Sequence, residues 1–138
     1  MGGTVNEANN QQQNAYDRGA EKLQEVYAGA VEAIPEGVIP FNDVMVRTLF
    51  AEVWTRDVLS MRDRRLLLMG VIASYGTVDI WNLQARAALQ NGELDANELR
   101  ETLVLLASYA GYPNVAGLVG ETEGVIAAWE SEQQATND

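Results

Sequence analysis

Two polar residues that are able to hold an anion stand on helical faces that are otherwise apolar. Arg65 shares its predicted face with Leu68 and Ile72, and a guanidinium in such surroundings demands a carboxylate or an anionic ligand. Gln84 falls on or beside the apolar face of the next helix, where an amide must satisfy two donors and two acceptor sites. If both face one cavity, they form a bidentate anion fork with a neutral donor. That arrangement suits recognition of a carboxylate or stabilisation of an enolate.

Both residues also have a purely structural interpretation. Gln84 is then a core glutamine with satisfied hydrogen bonds, or a residue on the flank of its helix. Arg65 is then one half of an ion pair within the chain or with a neighbouring subunit. Its candidate partners are Asp63, Glu52, Asp79 or another acid. The sequence leaves both interpretations open.

Proton transfer needs a further group, because an arginine and an amide supply no obvious base. Asp79 is the nearest candidate in sequence to Gln84. A carboxylate beside Ile80 and Trp81 would be one way to supply an acid, although the position of Asp79 more strongly favours a structural role. Stabilisation by the helix N-terminus is the alternative role for Asp79. The other candidates for proton transfer are Glu52, Tyr75 and Tyr109.

Aromatic side chains would line a pocket for a flat or cyclic ligand, although aromatic residues at helical spacing are more often part of the core. The candidates for such walls are Trp54, Trp81 and Tyr109. The predicted site therefore has Gln84, Arg65 and Asp79 in catalytic roles. Its predicted substrate-binding residues are Glu52, Trp54, Tyr75, Trp81 and Tyr109.

The composition excludes several classes of chemistry. The 138 residues include no histidine and no cysteine, which removes imidazole ligation, Ser-His nucleophiles, thiolates and disulfides. Nine Lys and Arg against 20 Asp and Glu give a net charge of -11, which repels phosphate backbones and anionic lipid surfaces. Neither a nucleic acid nor a membrane is therefore expected as a partner.

Metal binding and membrane insertion are not expected either. Four acids near the C-terminus have the pattern of a solvated helix face and not of a metal site: Glu121, Glu123, Glu130 and Glu132. The longest apolar run, Leu66 to Ala73, is far shorter than the roughly 20 residues that span a bilayer. The N-terminus lacks a signal-peptide pattern, so we expect a cytoplasmic protein.

Helical periodicity extends over most of the chain, and no segment has the alternation of a strand. We predict an all-α bundle of six helices in one domain, residues 16–130, between flexible polar tails at residues 1–15 and 131–138. The first helix runs from about Tyr16 to Ile34. The second runs from about Phe41 to Trp54, and its buried stripe is predicted as Phe41, Val44, Met45, Leu49 and Val53.

Capping signals delimit the remaining helices. Ser60 with Asp63 begins the third helix, whose segment LLLMGVIA is apolar on every side and marks the centre of the core. Gly76 ends it, and Thr77 begins a fourth helix that ends at Asn91 and Gly92. Asp95 with Glu98 begins the fifth, which Gly111 stops. The sixth is expected from Asn114 to about Glu130.

Four short strings give the chain a resemblance to a known family. They are EVWTR at residues 52–56, Arg64 before the aliphatic helix, RAALQNG ending at Gly92, and YAGYP ending at Pro113. Together they resemble the carboxymuconolactone decarboxylase family, which shares its fold with the alkylhydroperoxidase D proteins, over about Phe41 to Gly120. The resemblance implies an all-helical, alkylhydroperoxidase D-like subunit that assembles into homotrimers or homohexamers. It also implies cofactor-free decarboxylation of a lactone acid.

The chain departs from the family at the positions that carry its chemistry. The family histidine falls on Gln84, and the family glutamate falls on Arg65. The redox cysteines of the peroxidase branch would fall on Thr77 and Ile80, so peroxidase activity is excluded. An amide and a permanent cation therefore replace the proton-transfer pair.

Three functions remain open from the sequence, of which the third is an accessory or assembly role that depends on the acidic surface and the flexible tails. The first is a divergent, cofactor-independent lyase that acts on a small carboxylated or enolisable ring or lactone, with Arg65 and Gln84 polarising the substrate. The second is a non-catalytic oligomer that binds a small acid or a protein partner. The second predicts that Arg65 pairs internally with an acid and that no open cavity reaches Gln84.

Overall fold

The computed structural model describes residues 3–138, with side chains from residue 14 onward. Its six α-helices are α1 Gly3–Val26, α2 Pro40–Met45, α3 Met61–Tyr75, α4 Val78–Gln90, α5 Ala96–Ala110 and α6 Tyr112–Asn137. A π-helix, Val46–Val53, follows α2 directly. No strand occurs among residues 3–138, which confirms the predicted all-α class. Within that range no helix is both long and apolar enough to cross a membrane.

The chain divides into two compact units, Met1–Val58 and Leu59–Asp138. The single domain predicted for residues 16–130 stays a prediction, as do the flexible tails at 1–15 and 131–138. Residues 1 and 2 of the first tail lie outside the described residues, and side chains are described only from residue 14. The second tail was expected to follow a helix end near Glu130, whereas α6 continues to Asn137.

In the first unit, α1 ends earlier than the sequence pattern indicated. The helix stops at Val26, and the prediction that it continues to Ile34 is wrong. The amide of Gly29 donates to the carbonyl of Gln24 at 2.8 Å, and Ala28 has the left-handed φ of 53°. This is the bonding pattern of a Schellman stop, which satisfies the last free carbonyls of a helix. The signal was easy to miss because an alanine, and not a glycine, has the first left-handed conformation.

The second predicted helix exists, but its predicted buried face is wrong. Phe41 is 78% exposed and Val44 60% exposed, and Leu49 and Val53 also face solvent within the chain. The buried residues of this stretch are Asn42, Asp43, Val46, Phe50, Ala51 and Trp54. The change of face begins in α2, where Asn42 and Asp43 take the buried positions. In the π-helix that follows, bonds from residue i to i+5 shift the buried positions further from the 3.6-residue period. The amide of Trp54, for example, donates to the carbonyl of Leu49 at 2.9 Å.

Buried polar residues also hold the loop before α2 in the first unit. The carboxylate of Asp43 accepts from the amide of Gly37 at 3.0 Å. The amide of Asn42 donates to the carbonyl of Ile34 at 3.0 Å and to the Tyr16 hydroxyl at 3.0 Å. These bonds satisfy loop backbone groups that have no helical partner, which is why two polar residues replace the expected apolar stripe.

In the second unit, the predicted caps of α3 and α5 are confirmed, whereas the side chain of Thr77, the residue before α4, accepts no capping hydrogen bond. The Ser60 hydroxyl accepts from the amide of Asp63 at 3.0 Å, and Gly76 ends α3 with a φ of 66°. Asp95 and Glu98 form a complete capping box at the start of α5. Helix α6 begins at Tyr112 and not at the predicted Asn114, whose side chain instead donates to the carbonyls of Ser74 and Ala110.

The core of the second unit lies around α4. Trp81 is completely buried with Met69 of α3, Leu99 of α5, and Leu118 and Ile126 of α6. The apolar residues of α3 are divided between two environments: Met69, Ile72 and Ala73 are buried, whereas Leu67 and Val71 are more than half exposed. Helix α4 has more buried residues than the other helices of this unit, and it holds one of the polar residues described next.

Candidate functional site

Arg65 and Gln84 meet inside the second unit, and a third residue joins them. The guanidinium of Arg65 is fully buried and donates to both carboxylate oxygens of Glu93, through Nε at 2.8 Å and through an η-nitrogen at 3.1 Å. Its other η-nitrogen donates to the amide oxygen of Gln84, which is 1% exposed. We call Arg65, Gln84 and Glu93 the buried arginine cluster.

The turn after α4 positions Glu93. Gly92 has a φ of 70°, and the amide of Glu93 then donates back to the carbonyl of Ala88 at 2.9 Å. The side chain of Asn91 donates to Glu93 at 3.1 Å, and the Glu93 side chain is only 6% exposed. The Asn91-Gly92 turn thus reverses the chain direction, and the carboxylate of Glu93 lies in the interior opposite Arg65.

The buried arginine cluster has the properties of an internal ion pair. Burying a guanidinium is costly unless a carboxylate and further acceptors compensate its charge, and Glu93 with Gln84 supply both. The two predicted residues do converge, but on Glu93, and all three side chains are nearly closed to solvent. Arginine holds its proton permanently, so it transfers none. The cluster matches the structural interpretation of Arg65, with Glu93 as the acid.

The other predicted site residues of the second unit do not join the cluster. Trp81 is buried in the core, and its indole N–H donates to the hydroxyl of Thr122 at 2.8 Å. Tyr75 is 78% exposed and Tyr109 85% exposed, and both project from helix ends or flanks to solvent within the chain. Asp79 is exposed on α4 and lines a groove between α4 and α6.

Two predicted site residues belong to the first unit. Glu52 is exposed near the end of the π-helix. Trp54 is buried and its ring stacks on Phe50, with the ring centroids 6.5 Å apart and the planes 7° from parallel. A buried, stacked indole of this kind is a packing contact within its own unit.

The groove between α4 and α6 has a volume of about 330 Å³. Residues at helical spacing form its two walls, with Asp79, Asn82, Leu83 and Arg86 on α4 and with Val125, Ala128, Trp129 and Glu132 on α6. Its surface is mainly apolar, with a few polar groups, which is the usual character of a small-molecule site. The only ion pair described for Arg86 is a long one to Glu132, with nitrogen and oxygen 3.7 Å apart.

Sequence reasoning missed Glu93 and most of the groove. The available signals for Glu93 were its position after the Asn-Gly turn that ends α4 and the lack of an assigned acid for Arg65 on α3. For the groove, the signal was the helical spacing of three polar residues, Asp79, Asn82 and Arg86. They form a stripe along α4 beside its buried face. Glu132 was assigned to a solvated acidic face, and it does stand at the rim, with a side chain that is 54% exposed.

Two comparisons with known proteins bear on this site. A family model described as the carboxymuconolactone decarboxylase family matches residues 40–123. A 4-carboxymuconolactone decarboxylase of Acinetobacter baylyi is 32% identical over 73 residues, which are 53% of this chain and 54% of that protein. The chain therefore spans about half the length of this curated relative. The matched family segment includes the buried arginine cluster and the α4 wall of the groove.

Proposed function

Because the chain belongs to the carboxymuconolactone decarboxylase family, we propose that it uses the family scaffold as an oligomeric protein that binds a small carboxylic acid without decarboxylating it. The observation that carries this proposal is the ion pair between Arg65 and Glu93. In the resemblance described above, Arg65 and Gln84 stand where the family has its proton-transfer residues. Here both are used to stabilise the interior.

The chemistry of the cluster supports binding or structure over catalysis. A catalytic acid or base must come within hydrogen-bond reach of the proton that it moves. Arg65 is fully buried and Gln84 is 1% exposed, so a substrate would have to displace Glu93 to reach them. Displacement would leave a buried carboxylate and a buried guanidinium each partly unpaired, which is strongly unfavourable.

Exposed apolar residues support the oligomeric part of the proposal. On α3, Leu67, Val71 and Tyr75 recur at every fourth residue, and they are 64%, 55% and 78% exposed. On α5, Leu105 and Tyr109 form a second such stripe. Contiguous exposed apolar surface of this kind marks protein interfaces. We expect a homotrimer or homohexamer, which light scattering coupled to size-exclusion chromatography would measure directly.

The decisive experiment is a paired assay of turnover and binding. The purified protein is incubated with carboxymuconolactone, and ultraviolet absorbance is followed beside the Acinetobacter baylyi decarboxylase as the positive control. We expect no change for this protein, and calorimetric titration is expected to detect binding of small carboxylic acids. Turnover of the lactone above the buffer blank would overturn the proposal.

Cofactor-independent lyase chemistry on a small carboxylated or enolisable ring or lactone is the second candidate. The name of the Acinetobacter baylyi relative favours it, and so does the position of Asp79 beside Arg86 in one groove. In that case Arg86 would bind the substrate carboxylate and Asp79 would move the proton. Lactone turnover that is lost in Asp79→Asn would support this candidate.

A further inference from the structure

The groove between α4 and α6 holds an unusual concentration of unpaired polar atoms. Among the side chains that are described, four buried nitrogen or oxygen atoms have no hydrogen-bond partner. Three of them belong to groove residues: the amide oxygen of Asn82, one η-nitrogen of Arg86 and the indole nitrogen of Trp129. Buried polar groups in native proteins are almost always paired, so a cluster of exceptions needs an explanation.

These three atoms define complementary requirements for an occupant. The guanidinium and the indole are donors, so together they require an acceptor, and a carboxylate is the strongest one. The Asn82 oxygen requires a donor, because the Asn82 nitrogen already donates to Glu121 at 2.9 Å and thereby fixes the orientation of the amide. One ligand that satisfies all three atoms must therefore present both an acceptor and a donor.

The charges of the groove narrow the class of ligand further. Arg86 contributes one positive charge, whereas Asp79 and Glu132 contribute two negative charges at the rim. A simple anion would be repelled by those two carboxylates, and a simple cation would leave both donors unpaired. A zwitterion satisfies both sets of groups, because its carboxylate meets the donors while its ammonium meets Asn82 and the acids.

The apolar residues that line the groove indicate the kind of side chain that the ligand has. Leu83, Val125 and Ala128 give the groove its apolar walls. An α-amino acid with an apolar side chain, such as leucine, would bury that side chain against them while its charged end meets the polar atoms. The Arg86 side chain is 38% exposed, so it has room to turn its unpaired nitrogen towards an occupant.

We infer that the groove between α4 and α6 is a binding site for a zwitterionic α-amino acid with an apolar side chain, held by Arg86, Trp129 and Asn82. This inference deepens the proposed function, since it names the site and the kind of carboxylic acid. It does not involve the buried arginine cluster, which is formed by other residues of α3, of α4 and of the turn after α4.

The test is calorimetric titration of the full chain with three matched probes. They are L-leucine, 4-methylpentanoate, which lacks the ammonium, and 3-methylbutylamine, which lacks the carboxylate. We expect leucine to bind at least about tenfold more tightly than either of the other two, because each lacks one charge-assisted interaction. The same titrations are made on Arg86→Gln and on Trp129→Phe, each of which removes donors while keeping most of the side-chain bulk.

Each variant should weaken leucine binding by about tenfold or more, which is the usual effect of losing one hydrogen bond to a charged group. Arg100→Gln is the matched control, because Arg100 is an exposed arginine of the same unit that pairs with Glu123 outside the groove. It should leave binding unchanged. Circular dichroism spectra like that of the unmodified protein would show that each variant is folded.

The outcomes separate this inference from the proposed function. Leucine binding that is unaffected by both groove variants would show that the site is elsewhere, while acid binding itself would stand. If 4-methylpentanoate binds as tightly as leucine, the zwitterion is wrong and the simple acid is right. If none of the three probes binds and other small carboxylic acids also fail, both this inference and the proposed function fail.

Discussion

Arg65 and Arg86 place the same side chain in two contrasting regions of one helical unit. In the buried arginine cluster, both Glu93 oxygens and the Gln84 oxygen face the Arg65 guanidinium, and no solvent reaches it. In the α4–α6 groove, Arg86 has a distant acid at 3.7 Å and an unpaired nitrogen. In the first region, the hydrogen bonds of the arginine stabilise the fold. In the second, unpaired polar atoms are the basis of the proposed ligand site. Whether an arginine has hydrogen-bond partners within the chain is therefore a better guide to its function here than its residue type.

Removal of Glu93 should have the largest effect on stability. Glu93→Ala leaves the Arg65 charge buried without its partner, which costs about 3–5 kcal/mol when one side of a buried ion pair is lost. Chemical unfolding in urea would measure the change. Glu132→Ala is the matched control, because it removes the exposed acid beside Arg86 and should cost less than about 1 kcal/mol. Equal losses for the two variants would contradict the contrast between the regions.

A double replacement separates two effects on the free energy of unfolding: the cost of leaving one buried charge unpaired, and the net contribution of the Arg65–Glu93 ion pair. Arg65→Met combined with Glu93→Leu removes both charges and keeps apolar volume in the interior. Buried ion pairs replaced in this way often leave stability unchanged or raise it by about 1–4 kcal/mol. We therefore expect the double variant to lose less stability than Glu93→Ala, with the remaining loss arising from the buried amide oxygen of Gln84, which no longer has Arg65 as its donor. A loss as large as that of Glu93→Ala would mean that the cluster has a role beyond mutual compensation.

Two tryptophans show the same contrast between a paired and an unpaired buried group, with smaller expected effects on stability. Trp81 donates to Thr122, so Thr122→Val would leave a buried indole N–H unpaired and should cost about 1–3 kcal/mol. Trp129 has an N–H that is already unpaired, so Trp129→Phe should change the ligand-free stability by less than about 0.5 kcal/mol through that group. Thermal unfolding of both variants gives the comparison. A greater loss in Trp129→Phe would show that its N–H has a partner in solution.

Exposed ion pairs provide the smallest expected effect and a third environment for arginine. A hydrogen bond from Arg62 lowers the pKa of Glu98, and one from Arg100 lowers the pKa of Glu123, below the ordinary value of 4.5. A carboxyl whose pKa is lower in the folded state stabilises the fold above its unfolded pKa. That stabilisation is lost as the pH falls from about 4.5 through the lowered values.

The measurement is the urea midpoint at pH 7 and at pH 3, with and without the two exposed pairs. The variant with Glu98→Gln and Glu123→Gln should show a smaller decrease between the two pH values than the unmodified chain. High salt should reduce the difference, because solvent screens exposed charges. An unchanged pH dependence would contradict the lowered pKa values in the folded protein.

Local signals predicted the starts of α3 and α5 well, whereas α6 begins before the predicted Asn114 and extends beyond the predicted Glu130. Ser60 with Asp63, and Asp95 with Glu98, act through hydrogen bonds to residues three positions away, so the sequence contains the whole interaction. The boundary at Val26 was missed because Ala28 takes a left-handed conformation that the residue type disfavours. The buried face of the second helix was missed because Asn42 and Asp43 turn inward to bond the preceding loop, and because the π-helix then changes the period on which the prediction relied.

The same distinction applies to the candidate site: residues recognisable from their own helix were predicted, and partners far along the chain were not. Arg65 and Gln84 were identified correctly as polar residues on apolar faces, and the absence of histidine and cysteine bounded their chemistry. The partner of Arg65 was not identifiable, because Glu93 is 28 positions further along the chain. The groove was equally hidden, since its walls come from helices that are about 40 residues apart.

The sequence by itself determined the all-α class, the family and the caps of α3 and α5, because these depend on periodicity, motifs and contacts within a few residues. Only the tertiary structure decided what the polar residues do. Whether an arginine is paired or free depends on which acid packs against it, and packing brings together residues far apart in the chain. For that reason Arg65 became part of the interior, and Arg86, which the sequence offered only as the first residue of the RAALQNG string, became the candidate for binding.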